Sequence, residues 1–166
     1  MTQYVVDENV PIVANDISGT RTPQANADCR GACITVLRNV VRSGVVVIDD
    51  AGEVLAKYRV YLNGRGQPGV GDAFLRHVSD RQFDRRRVLR AALALNEAGE
   101  YQAFPNDPAL SQFDHADRIF VALAAIVPGR PTLLNAVDSD YSEFADALKA
   151  AGIRIRELCP DCIRAR

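Results

Sequence analysis

Hydrophobic positions along the chain fall into short continuous runs and helical stripes, separated by breakers. Residues 3–7, Gln-Tyr-Val-Val-Asp, read as a short buried strand ending on an acid. Pro11, Asn15, Asp16, Ser18 and Gly19 mark residues 10–22 as loop. Thr22-Pro23 predicts a helix start, with Thr22 as N-cap and Pro23 in the first helical position. This helix carries Cys29, Ala32, Cys33, Val36, Leu37, Val40 and Val41 as an i, i+3, i+4 stripe, and Gly44 closes it. Val45-Val46-Val47-Ile48 is a β-branched run that predicts a buried strand, followed by Asp49 and Asp50.

Residues 53–62 predict a helix with Val54, Leu55, Tyr58 and Leu62 inward, and a short helix follows the breaker-rich stretch 63–71, from Asp72 to about Val78. Residues 79–104 have no clear period, and Arg87 to Leu95 fits helix and strand equally. A helix beginning near Asp114 buries Ala116, Ile119, Phe120, Leu123, Ala124 and Val127, and ends before Pro128-Gly129. Strand 132–136, a helix from about Tyr141 to Ala151 with Gly152 beyond it, and strand 153–156 complete the pattern. Continuous apolar strands joined by helices predict an α/β fold, a three-layer α/β/α sandwich around a central, mainly parallel sheet.

With 166 residues, 48% of them hydrophobic and 25% charged, the expectation is one ordinary globular domain spanning 1–166. A net charge of -1 excludes a protein coated in positive charge, though not a local nucleic-acid groove. No apolar run reaches the roughly 18 residues that a membrane span needs. Residues 1–10 lack the layout of a secretory signal and carry Asp7 and Glu8, so the expected location is cytoplasmic. Four cysteines in that setting suggest free thiols rather than a disulfide framework.

Carboxylates end three of the strands: Asp7, then Asp49 with Asp50, then Asp138 with Asp140. Asp114 and Asp117 lie three apart in the first turn of the helix before the third of these. In parallel sheets, sites collect at the carboxyl ends of the strands. Several acids on one rim require cations, and oxygen ligands without paired His or Cys suit Mg²⁺ or Mn²⁺. Such ions commonly serve attack on phosphodiesters by activated water. Each acid also has a structural reading: Asp114 and Asp117 suit a helix N-terminus, Asp140 with Glu143 suits a cap, and Asp49 and Asp50 suit a turn.

Three segments resemble the PIN-domain nucleases, in a compact bacterial form. Val5-Val6-Asp7-Glu8-Asn9-Val10 is similar to the opening strand with Asp-x-Asn/Ser, and Asp117-Arg-Ile-Phe-Val-Ala-Leu-Ala124 to the family's Asp-x-x-Ile-x-Ala-x-Ala helix. Leu133 to Tyr141 is similar to the strand ending in Thr-x-Asp-x-Asp-Phe. Residues 66–72 and Phe104-Pro105 are similar to one bacterial branch of the group. The specificity lies in the order of these short motifs over nearly the whole chain.

The resemblance implies an Mg²⁺- or Mn²⁺-dependent ribonuclease. It makes Asp7, Asp117 and Asp138 the catalytic metal ligands, with Asp140 beside them, and Asn9 the residue that orients Asp7 or the scissile phosphate. It implies RNA as substrate, and a role as toxin with an antitoxin partner or as a defence effector with an ATPase partner; a homodimer is compatible with it. Two positions depart from the pattern. Lys57, before Tyr58, stands in the slot of a family Glu, so that Asp50 or Glu53 would supply the missing acid and Lys57 would reach the acidic rim or a substrate phosphate. Ala136 replaces a Thr or Ser.

Residues 76–90 are strongly basic, and Arg85, Arg86 and Arg87 are candidate contacts to a phosphate backbone; a solvated face or an antitoxin-docking surface accounts for them equally. Cys159-x₂-Cys162 has zinc spacing, but Cys29 and Cys33 lie on an apolar helical stripe and read better as inert buried thiols. His77 and His115 are isolated and receive no ligand role. Two other functions compete: a catalytically weak PIN-like module that binds RNA or protein, favoured by Lys57, and a phosphotransfer enzyme, disfavoured because no Asp-x-Asp pair follows the first strand.

Overall fold

Apolar runs form the middle layer of the molecule, which a computed structural model describes for residues 1–163. The strands are β1 (Gln3–Val6), β2 (Val45–Asp49), β3 (Val88–Ala91), β4 (Thr132–Asn135) and β5 (Arg154–Glu157). All pair in parallel, in the order β3-β2-β1-β4-β5. Tyr4 lies opposite both Val46 and Thr132, which makes β1 the central strand. Every residue of β2 is buried, as its β-branched run predicts.

Among the described residues, seven helices flank the sheet: α1 (Asn9–Asn15), α2 (Ala27–Ser43), α3 (Glu53–Tyr61), α4 (Val70–Arg81), α5 (Arg118–Ile126), α6 (Asp140–Glu143) and α7 (Ala145–Ala150). The result is a three-layer α/β/α sandwich. Helices α1, α2 and α4 pack on one another, while α5 lies along β1, β2 and β4. Right-handed crossovers put the helices that precede β3 on one face and those that follow it on the other. Helix α5 is buried from Arg118 through Ala124. Helix α4 meets α1 so closely that a Cβ on Gly71 would lie 2.1 Å from the Pro11 carbonyl oxygen. Only glycine permits that approach.

Several elements differ from the sequence pattern. Residues 9–15 are helical rather than loop, because Pro11 sits in the first turn, where its missing N–H had no partner to lose. Helix α2 starts at Ala27 with Asn26 as its cap, accepting from the Cys29 N–H. Thr22 is instead buried and donates to Asp16 through both its N–H and its hydroxyl. The undecided stretch 87–95 supplies β3, an edge strand whose side chains are mostly half-exposed and therefore show no apolar run. Ala116 is exposed, because residues 115–117 form a 3₁₀ turn ahead of α5. The expected helix 141–151 is split at Phe144 into α6 and α7. Cys29 is not a free thiol: it is bonded to Cys159. β5 runs back to the sheet edge where α2 begins, which brings the two residues together across 130 positions of sequence.

Strand order reverses between β1 and β4. The chain progresses outward from β1 to β3, then returns to the other side of β1 for β4 and β5. The carboxyl ends of β1 and β4 therefore flank a switch point, where doubly wound folds place their sites.

Asp16 organises the turn between α1 and α2. Its carboxylate accepts from the N–H groups of Thr20, Arg21 and Thr22 and from the hydroxyls of Ser18 and Thr22. Burial alone would raise its pKa, but these bonds, those from Thr22 foremost, hold it below the usual value. Asp16→Ala is expected to cost about 1–3 kcal/mol in urea unfolding at neutral pH. A depressed acid stabilises above its unfolded pKa of about 3.9, and that stability is lost as pH falls through the folded value. The gap between wild type and variant should therefore close in acid.

Candidate functional site

Asp7 is the first residue beyond β1, and its N–H still donates to the Leu134 carbonyl of β4 at 3.2 Å. Its carboxylate is buried and held at both oxygens. Oδ1 accepts from the Asn9 N–H at 2.9 Å and from Asn9 Nδ2 at 2.7 Å; Oδ2 accepts from the Tyr141 hydroxyl at 2.6 Å. Asn9 also donates to Asn135 Oδ1 and accepts from the Ala136 N–H, both at 2.8 Å. Its amide is thus fully engaged in orienting Asp7 against the end of β4.

One carboxylate oxygen from each of Asp7, Glu8 and Asp117 lies within 4.8 Å of the others. Asp138 lies close enough to Asp117 to help raise its pKa. Asp117 arrives from the opposite face of the sheet, at the end of the 3₁₀ turn that leads into α5. Asp140 fixes that turn, since its Oδ2 accepts from the Asp114 N–H at 2.8 Å and its own N–H donates to Asp138 Oδ1 at 2.9 Å.

Lys57 reaches this cluster from α3. Its Nζ is 3.1 Å from Glu8 Oε1, 3.9 Å from Asp117 Oδ1 and 5.5 Å from the centre of the Phe120 ring. Burial would lower the lysine pKa, but Glu8, Asp117 and Asp7 together raise it, so Lys57 stays charged. Burial raises the carboxyl of Asp7 well above its ordinary value, Glu8 adds to this, and the bonds from Asn9 and Tyr141 oppose it. Burial likewise drives Asp117 to about 10, with further contributions from Asp7, Asp138 and Glu8. With no divalent cation, Asp117 keeps its proton.

The other sequence candidates lie elsewhere. Asp50 is exposed, and its carbonyl accepts from Arg90. Glu53 is exposed and lies near Tyr101, whose pKa its charge helps to raise. Asp49 caps α3, accepting from the N–H groups of Glu53 and Val54 at 2.9 and 2.8 Å. Arg85, Arg86 and Arg87 precede β3, so they occupy the amino edge of the sheet, opposite the acids. There Arg87 donates to the Arg42 carbonyl and Arg86 pairs with Asp84. The basic strip therefore does not border the acidic cluster.

Sequence reasoning passed over four participants. Glu8 is an unmotivated neighbour of Asp7 in the sequence, Tyr141 reads as an ordinary core aromatic, and Asn135 is a polar residue inside a strand, which was the available signal. The fourth is Arg21. It lines, with Asn9, Ile12, Thr22, Tyr61 and Asp138, an open cavity of about 630 Å³ beside the cluster. No family model, curated protein or solved structure matches the chain significantly.

The raised acid predicts a pH dependence. Unfolded, Asp117 ionises above about pH 3.9; folded, it holds its proton up to about 10. Between these values the native state binds the extra proton, so stability falls as pH rises. Thermal melts in chelator should show Tm declining across this range. Asp117→Asn should flatten that slope and hold or raise Tm at alkaline pH.

Proposed function

We propose that the protein is an Mg²⁺- or Mn²⁺-dependent endoribonuclease of the PIN type, hydrolysing RNA phosphodiester bonds. The observation that carries this reading is the convergence of Asp7, Glu8 and Asp117 within 4.8 Å at the switch point, with Asp138 nearby. The donors fit such an ion. All are hard oxygens, and Glu8 Oε2 is buried without a hydrogen-bond partner. Asp7, Glu8 and Asp117 would hold the ion, with Asp138 behind them. When bound, it supplies Lewis acidity and an activated water.

The chain's own groups have separate tasks. Asn9 and Tyr141 hold Asp7 in one orientation. Burial favours a proton on Asp117, which a bound cation would displace. Lys57 keeps a positive charge against Glu8 and Asp117. Arg21, at the wall of the open cavity, is placed to meet a phosphate of the RNA strand, and Ile12, Tyr61 and Val137 offer apolar surface for a base. The resemblance extends the proposal to a cytoplasmic toxin held by an antitoxin, or to a defence effector working with an ATPase, either of them as a homodimer.

A second reading, a catalytically weak module that binds RNA or protein, is favoured by one observation. The Lys57 ammonium already supplies a cation between Glu8 and Asp117. Cleavage of labelled single-stranded RNA in Mn²⁺ separates the two. The nuclease reading expects cleavage by the wild type and none by Asp7→Asn, with Tm held or raised in the variant. RNA binding without cleavage in either ion establishes the second. Lys57→Glu should tighten Mn²⁺ binding by at least about tenfold, since it turns an opposing charge into a ligand. Calorimetric titration measures this directly.

A further inference from the structure

Three of the chain's four cysteines meet at one point, and the fourth, Cys162, follows Cys159 by three positions. Cys29 and Cys33 lie on successive turns of α2, so i, i+4 spacing turns both sulfurs to the same face. Cys159 and Cys162 bracket the tight 3₁₀ turn headed by Pro160, directly after β5. The sulfurs of Cys29, Cys33 and Cys159 are all within 4.8 Å of one another. The tight turn after β5 carries Cys162 to the same side of the molecule, near enough to Cys33 to disfavour its ionisation. All four are buried. In the oxidised form Cys29 and Cys159 are bonded, Cys33 remains beside them as a thiol, and Cys162 is a buried thiol.

We propose that the reduced chain binds one Zn²⁺ at this point, through Cys29, Cys33, Cys159 and Cys162, as a structural tetrathiolate site. Tetrahedral zinc–sulfur bonds of about 2.3 Å put the sulfurs about 3.8 Å apart; those of Cys29, Cys33 and Cys159 already lie within 4.8 Å of one another, and Cys162 would close in as the fourth. The Cys-x₂-Cys turn has the ligand spacing of closed structural sites, and no position is left open for a substrate. A disulfide alone would use two of the four residues; the metal uses them all.

The two forms interconvert in balanced steps. Two thiols of a cellular thiol reductant give two electrons and two protons to the Cys29–Cys159 bond, leaving two cysteine thiols and one disulfide on the reductant. Zn²⁺ then displaces four thiol protons to solvent. Burial, helped by Cys162, raises Cys33 to about 12, so it ionises only when a cation arrives. Zinc would fasten the start of α2 to the end of β5. The same stretch carries Leu158, which donates to the Asn135 carbonyl at 2.8 Å, and Glu157, which accepts from Asn135 Nδ2 at 2.6 Å. The metal would thereby steady the strand end that carries Asp138.

The full chain, reduced and freed of metal, is titrated with Zn²⁺ and with Co²⁺. One equivalent should bind at the cysteines. Cobalt should show the sulfur-to-metal charge-transfer band and the d–d bands of a tetrahedral thiolate complex, which cobalt held by carboxylates lacks. Tm of the reduced chain should rise with zinc concentration. Cys33→Ser and Cys162→Ser leave the Cys29–Cys159 bond able to form, so each can be purified oxidised and then reduced. Each should lose more than about 100-fold in zinc affinity, beyond the loss that outer-shell changes bring. Absence of the cobalt thiolate spectrum in the reduced wild type overturns the proposal, as does unchanged zinc affinity with serine at 33 and at 162.

Discussion

The amide of Asn9 is the tie on which the acidic edge depends. At a switch point two neighbouring strands send their chains to opposite faces, and the backbone groups at their ends lose their ladder partners. Asn9 closes that gap, donating to Asp7 and Asn135 and accepting from Ala136. Asn135, fully buried in β4, passes the connection on to the Asp138 carbonyl and to Glu157 of β5. Three strand ends thus form one polar network, and Asp7 and Asp138 are positioned against it. Because a buried amide with missing partners is costly, the network favours one arrangement of the edge.

That edge gathers more negative charge than a buried surface tolerates, and the fold divides it. Asp49 and Asp140 give their oxygens to backbone N–H groups and act as fasteners. Glu8 and Asp117 instead face the ammonium of Lys57, and Glu8 Oε2 keeps no hydrogen-bond partner. The shortfall appears as protons retained where an isolated carboxyl would be ionised. Carboxylates that are adjacent on the sheet rim therefore differ in kind: some complete the architecture, others remain unsatisfied by it.

Much of this was legible in the sequence. The runs at 3–6, 45–49 and 132–135 are apolar because both faces of the inner strands are covered, and the acids that follow them mark the carboxyl edge. Strand β3 was not legible, because it lies at the sheet's edge with an alternating, half-exposed pattern. Helix α1 was hidden by Pro11, a helix breaker in general but harmless in a first turn. Among site residues, Asp7, Asp117 and Asp138 stood out by their places at element ends. Glu8 and Tyr141 did not, since their contacts come from elements far away in sequence. The arginines at 85–87 show the limit of charge counting: a cluster strong in sequence occupies the amino edge.

The contact map of the acidic edge also bears on how the molecule comes into being. Its parts come from residues 7–9, 57, 117, 135–141 and 157, a span that takes in almost the whole polypeptide. During synthesis, Asp7 and Lys57 emerge early and wait for Asp117, then for β4. Until β4 docks, the central strand lacks a neighbour on one side, and Asn9 lacks the partners that hold Asp7. Long-range pairing of this kind is slow and forms late. A chain that ends before β4 would lack the finished site, so whatever chemistry the edge performs begins only once β4 and β5 have docked.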